Sequence, residues 1–127
     1  MTRTAITTGS RFEKLAGYSR AIVDGEWIFV SGTAGYDFGK DTISDDPAEQ
    51  TRQSLRTISD ALAKANASLK DIVRVRVYVS ERAHVMPVSQ VLGETFSEPR
   101  PTNTTIVCGF AMPEMKVELE VTALKRG

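Results

Sequence analysis

The last quarter of the chain does most to limit its fold. Between Pro101 and Leu124 two alternating segments stand either side of a connection that carries Gly109 and Pro113. Period-two alternation sends successive side chains to opposite faces of a strand, so Val117, Leu119, Val121 and Ala123 face a core while Glu118, Glu120 and Thr122 face away. The two segments are expected to pair as a C-terminal hairpin. Asp71–Ser80 shows the same period: Val73, Val75, Val77 and Val79 alternate with Arg74, Arg76, Tyr78 and Ser80. Its β-branched bias suits a half-buried strand whose valines share the core face of the terminal strand.

Two other stretches change period. At Asp46-Pro47-Ala-Glu49, Asp46 can cap a helix, Pro47 suits its first turn and Glu49 completes a capping-box-like arrangement. Thr51, Leu55, Ile58, Leu62 and Ala65 then recur at spacings of three and four, with Arg52, Arg56, Asp60 and Lys64 on the opposite face, to an end near Asn66. A second helix is expected from Val85 or Pro87 to Ser97, with Val88, Val91, Leu92, Thr95 and Phe96 inward, until Glu98-Pro-Arg-Pro101 breaks it. Nearer the start, a strand is expected over Thr4–Thr8, and Ser19–Asp24 and Trp27–Ser31 flank Asp24-Gly25-Glu26, a hairpin signal. Gly32–Asp45 reads as a loop. The order β-β-β-α-β-α-β-β describes an α+β fold, a sheet with two helices packed on one face, in one domain over residues 1–127.

Composition excludes several classes of function. Sixteen basic and sixteen acidic residues cancel, so no net field draws in nucleic acid or an anionic membrane. Cys108 is the only cysteine and suits a reducing compartment. With Ile106 and Phe110 it is expected to face the interior as a small hydrophobe. No apolar run reaches membrane-spanning length and the first residues lack a secretory core, so a soluble cytoplasmic domain is expected. His84 stands alone and is expected at the surface. No ligand spacing implies a metal, and no phosphate loop or other motif implies a cofactor. Arg74, Arg76 and Tyr78 lie with Glu118 and Glu120 on one sheet face, which is either solvated and laced with ion pairs or an oligomer interface.

Several short elements recur in a telling order. They are Leu15-Ala-Gly-Tyr18-Ser, Val30-Ser31-Gly32, Asp71-Ile-Val-Arg-Val-Arg-Val-Tyr-Val79, Pro101-Thr102-Asn103 and Lys116-Val-Glu-Leu-Glu-Val-Thr-Ala123. From about Gly17 onward the chain resembles the Rid (YjgF/RidA) family. That resemblance implies a chorismate-mutase-like fold and a homotrimer whose sheets pack into a barrel-like core, which favours the interface reading of the charged face. It also implies small-molecule clefts between neighbouring subunits, and hydrolysis of reactive imines and enamines. The positions matching the family's pocket are Tyr18, Gly32 with Thr33, Asn103, Thr105 and Glu120. Glu120 would hold or activate the water that attacks the C=N carbon. Three of these also have ordinary structural readings, and Gly32 is a turn residue first. Tyr18 fits a half-exposed aromatic at a strand start, and Glu120 fits an ion pair with Arg74 or Arg76.

Asn103 departs from the family pattern. In deaminating members an arginine at this position grips the substrate carboxylate bidentately. An asparagine amide lacks a charge-assisted bond worth roughly 1.5–3 kcal/mol. Thr105 likewise stands where deaminating relatives carry cysteine. The chain is thus expected to belong to a branch lacking the deaminase arginine, and not to act as a standard 2-imino-acid deaminase. Arg20 and Arg100 are the nearby candidates to replace it. The expected function is hydrolysis of a small imine, enamine or related metabolite. The alternatives are a trimer that binds a metabolite without turnover and, less favoured by the balanced charge, an RNA-cleaving inhibitor of translation.

Overall fold

A computed structural model describes residues 2–125. The first half runs β1 (Arg3–Ile6), α1 (Arg11–Ala16), β2 (Ala21–Asp24), β3 (Trp27–Ala34), β4 (Tyr36–Asp37), β5 (Thr42–Ile43) and α2 (Pro47–Lys64). The second half runs β6 (Ile72–Val79), α3 (Val85–Thr95), β7 (Thr102–Val107) and β8 (Val117–Leu124). Six strands form one sheet in the order β1-β2-β3-β8-β6-β7, and β4 and β5 pair separately. The result is a mixed α+β fold, with α2 packed on β3, β8 and α3.

The core lies where the alternation put it. Val75, Val77, Val79, Val117, Leu119, Val121 and Ala123 are all buried beneath the helices, as are Leu55, Ile58, Leu62, Val88, Val91 and Leu92. Asp46 caps α2 by accepting from the Ala48 N–H at 3.2 Å, and Pro47 occupies the first turn. Glu49 turns instead to Arg52 along the helix. The β2–β3 hairpin closes through the two residues Gly25-Glu26, with Gly25 at φ 63°, a conformation that glycine adopts without a Cβ clash.

Five expectations are corrected. The terminal strands do not form a hairpin: β6 lies between them, antiparallel to β8 and parallel to β7. Alternation settles which residues share a face but not which strand is the neighbour, and α3 supplies the crossover that a parallel pair requires. A register shift between Ile72 and Arg74 turns Val73 outward, 40% exposed, and puts Ile72 in the core. Gly32–Asp45 is not all loop, since β3 continues to Ala34 and β4 and β5 follow. Ile106 pairs with Tyr78 on the open face and is 46% exposed, and Cys108 is half-buried beyond it, so neither belongs to the interior. His84 is largely covered, its side chain 14% exposed and Nδ1 3.3 Å from the Ser80 hydroxyl.

Candidate functional site

The site begins at a break in the β3–β8 ladder. Partners run regularly from Trp27 to Val30, then shift, so that Ser31 and Gly32 fall outside the register before Thr33 pairs with Leu119 and Ala34 with Glu118. Such bulges re-aim the chain locally. The freed segment is tied down by Arg20 and its neighbours. The Ser31 N–H donates to the Arg20 carbonyl at 2.9 Å, and the Ser31 hydroxyl donates to the Ser19 carbonyl at 2.7 Å.

Arg20 is the hub. It is 2% exposed, and Nη1 donates to the Gly32 carbonyl at 2.9 Å and to the Thr33 hydroxyl at 3.1 Å. Nη2 donates to the Tyr18 hydroxyl at 3.4 Å, and the guanidinium lies over the rings of Tyr18 and Phe38 at 5.5 and 5.7 Å. Its Nε is buried without a hydrogen-bond partner among the described residues, 3.7 Å from a carboxylate oxygen of Glu13. Glu13 is itself 4% exposed. Burial pushes its carboxyl up, but hydrogen bonds from Thr7 and Thr8 and the Arg20 charge prevail and hold it below the usual range.

Above this hub opens a cavity of about 250 Å³. Tyr18, Arg20, Gly32 and Glu118 supply its polar edge, and Phe12, Leu15, Phe38, Met112 and Met115 its apolar wall. The close approach at Gly32 is specific: a Cβ there would stand 2.7 Å from Glu118 Oε1. Burial, and to a lesser extent the charge of Glu120, raise the Glu118 carboxyl above the ordinary carboxylate range against the pull of Arg20. Tyr36 also lines the cavity and donates to Glu114 at 2.8 Å; burial and that bond push its phenol up to about 12.

The sequence-predicted residues divide into two groups. Tyr18, Gly32 and Thr33 come together, although the Thr33 side chain is fully buried and serves Arg20 and the Ser31 carbonyl. Asn103 and Thr105 lie on the edge strand β7, where the Thr105 hydroxyl donates to Asn103 Oδ1 at 2.8 Å. Asn103 pairs with Val75 and borders a separate cavity of about 180 Å³ beside α3, with Arg100. Two strands separate β7 from β3, a span of roughly 14 Å at the usual strand spacing. Glu120 does not line the Tyr18 cavity. Its carboxylate accepts from the Tyr78 hydroxyl at 3.0 Å and lies 3.8 Å from Arg76. The carboxylate at Tyr18 and Gly32 is Glu118, which alternation could not tell from Glu120. The register Ala34–Glu118 was the missing information.

Comparison with known proteins shows the family. The sequence profile of the Endoribonuclease L-PSP family matches residues 8–125. The chain belongs to the YjgF/RidA/UK114 family. Among solved members of that family, Rv2704 of Mycobacterium tuberculosis superposes with a TM-score of 0.88 at 37% identity, covering 97% of this chain and 99% of the other. A RutC family protein of Pyrococcus abyssi is 29% identical over 98% of this chain and 99% of its own length. The 3-aminoacrylate deaminase RutC of Acinetobacter baylyi is 32% identical over 86% of this chain and 87% of its own. Among the described residues, no helix is long and apolar enough to cross a membrane, and no three His, Cys, Asp or Glu side chains cluster as a metal site would require.

Proposed function

We propose that this chain hydrolyses the C=N bond of a small imine, or of an enamine through its imine tautomer, at the Tyr18–Gly32–Glu118 cavity. One observation carries the reading: a half-buried carboxyl group, its pKa raised chiefly by burial, sits against Gly32 in a cavity that also holds Tyr18 and Arg20 and whose remaining wall is largely apolar. Such a carboxyl holds its proton nearer to neutral pH than an ordinary glutamate and suits general acid–base work. Protonated Glu118 donates to the imine nitrogen while water adds to the carbon. Its conjugate base takes back a proton from that water, which gives a neutral carbinolamine and restores the acid. The acid then protonates the amine nitrogen again and recovers the hydroxyl proton as the C–N bond breaks, releasing an amine or ammonia and leaving a carbonyl. No cofactor takes part.

In this reading the working form is a cytoplasmic homotrimer, and each cleft joins the Tyr18 side of one subunit to the Asn103 and Thr105 side of its neighbour. The separation of these two groups within one chain supports that assignment, because neither cavity alone holds all the residues. With no arginine at position 103, substrate selection differs from that of a standard 2-imino-acid deaminase. The related 3-aminoacrylate deaminase supports an enamine or imine as the substrate class. The second reading, a trimer that binds a metabolite without turnover, is favoured only by Asn103. RNA cleavage is the least supported, since the charges cancel.

The test is release of carbonyl product from imines generated in situ, with and without a carboxylate. Glu118→Gln is expected to lower kcat about a hundredfold, and Glu120→Gln to change it by no more than about threefold. Ligand binding with no acceleration of any imine would favour the non-catalytic trimer, and the reverse ranking of the two variants would return the role to Glu120.

A further inference from the structure

The cavity already contains a cation, contributed by β2's approach and not by β7. Arg20 has five N–H groups. Two on Nη1 are used by Gly32 and Thr33. Nη2 has one partner among the described residues, the Tyr18 hydroxyl at a long 3.4 Å, which leaves one Nη2 N–H uncommitted. Nε has no hydrogen-bond partner among the described residues. The counter-charge is also loosely held: Glu13 stands 3.7 Å away and directs its oxygens to the Thr7 and Thr8 hydroxyls and the Thr8 N–H. A buried guanidinium with unused donors retains much of its pull on an anion.

We propose that Arg20 is the anion-recognising residue of this cavity, which takes a small carboxylate whose apolar body lies on Phe12, Leu15, Phe38, Met112 and Met115. The carboxylate accepts from Nη2 and from the Tyr18 hydroxyl, whose rotation towards the ligand completes a two-donor grip. The specificity cation thus stands just before β2, with β3, β8 and β6 between it and the strand of position 103, and the substrate's apolar end, absent from very small imino acids, supplies the rest of the binding. Glu118 lines the same cavity, and burial raises its carboxyl, which lessens its like-charge repulsion of the ligand. The inference rests on the reading of this cavity as a small-molecule site, and it is tested by binding alone, so that a protein without hydrolase activity would still decide it.

The probes are 3-phenylpropanoate and its neutral isostere 3-phenylpropanamide, titrated calorimetrically into the intact protein. The expected result is a preference for the carboxylate of about tenfold, equivalent to about 1.4 kcal/mol. Arg20→Gln should abolish that preference, and Arg100→Gln, which alters the distant cavity, should preserve it. If Arg20→Gln fails to fold because Glu13 loses its counter-charge, the paired Glu13→Gln/Arg20→Gln protein removes both charges and serves the same comparison. Equal binding of the two probes, binding of neither, a preference that survives loss of Arg20, or one lost with Arg100 would each overturn the proposal.

Discussion

Glu118 reaches the cavity because Gly32 has no side chain. A Cβ on Gly32 would lie 2.7 Å from Glu118 Oε1 and 2.8 Å from its Cδ, closer than unbonded atoms approach. The obstructing atoms are the far end of a flexible side chain, so Gly32→Ala should leave the fold in place and swing the carboxylate away. We expect a Tm within about 5 °C of the parent, since a cost near 1 kcal/mol corresponds to a few degrees at this size. Imine hydrolysis should fall at least about tenfold, with the loss in kcat. Unchanged kcat would show that Glu118 need not occupy its present place.

Glu118 also makes a stability prediction with a definite sign. Its folded-state pKa is raised, chiefly by burial, so the folded chain holds the proton more tightly than the unfolded chain does. The stabilisation that follows is complete below the ordinary carboxylate range and is lost as pH rises through the folded value. At neutral pH the ionised group therefore opposes folding. Glu118→Gln should raise Tm at pH 7 and leave it nearly unchanged at pH 4 while it lowers kcat about a hundredfold. Thermal melts at the two pH values check this.

Glu13 carries the opposite sign. Held below the usual range by Thr7, Thr8 and Arg20 against its burial, it stabilises the fold above the ordinary carboxylate pKa of 4.5 and loses that contribution as pH falls through the folded value. The drop in Tm on acidification below pH 4.5 should be shallower in Glu13→Gln than in the parent. Because Glu13 lies against Arg20, the same acidification should loosen the Tyr18 cavity, which ligand titration at pH 4 and 7 would register.

A purely structural test concerns Gln50, which is fully buried. Its amide donates to the carbonyls of Ser44 at 2.7 Å and Glu114 at 2.9 Å, and its oxygen accepts from the Lys116 N–H at 2.9 Å. Gln50→Leu fills a similar volume but leaves three backbone groups without partners, at a cost of about 3 kcal/mol in total. Chemical denaturation should show a lower midpoint with the same m-value. Gly35→Ala should be comparably damaging, since its Cβ would stand 2.6 Å from the Gln50 Cα and backbone cannot step aside as a side chain can.

Asn103→Arg restores the cation that strand β7 lacks. If β7 completes a neighbour's cleft, this variant should raise turnover of 2-iminopropionate by about tenfold or more, the worth of one charge-assisted bond. No gain, with assembly intact by sedimentation, would remove β7 from the site.

Much of the fold could be read from local pattern. Alternation at Val75–Val79 and Val117–Ala123, the α2 stripe from Thr51 to Ala65, and the Asp24-Gly25 turn each depend on the geometry of a single segment, which is why each appears in the sequence. The same alternation failed at Val73, where a bulge shifts the register, and at Ile106 and Cys108, where the parity of an edge strand follows from its partner. Tyr18 and Gly32 could be found from their motifs. Glu118 could not, because it shares a face and a period with Glu120 and differs only in lying opposite Ala34.

The sequence by itself determined the class of the fold, the two main helices and the core faces of the strands, since all of these lie in composition or period. Only the tertiary structure decided that β6 separates the two terminal strands, that Glu118 instead of Glu120 meets Tyr18 and Gly32, and that Arg20 and Glu13 are buried together beneath them. Strand order and register are choices among pairings that satisfy the same alternation, and a buried charge cluster exists only once α1, β2 and β3 close on one another.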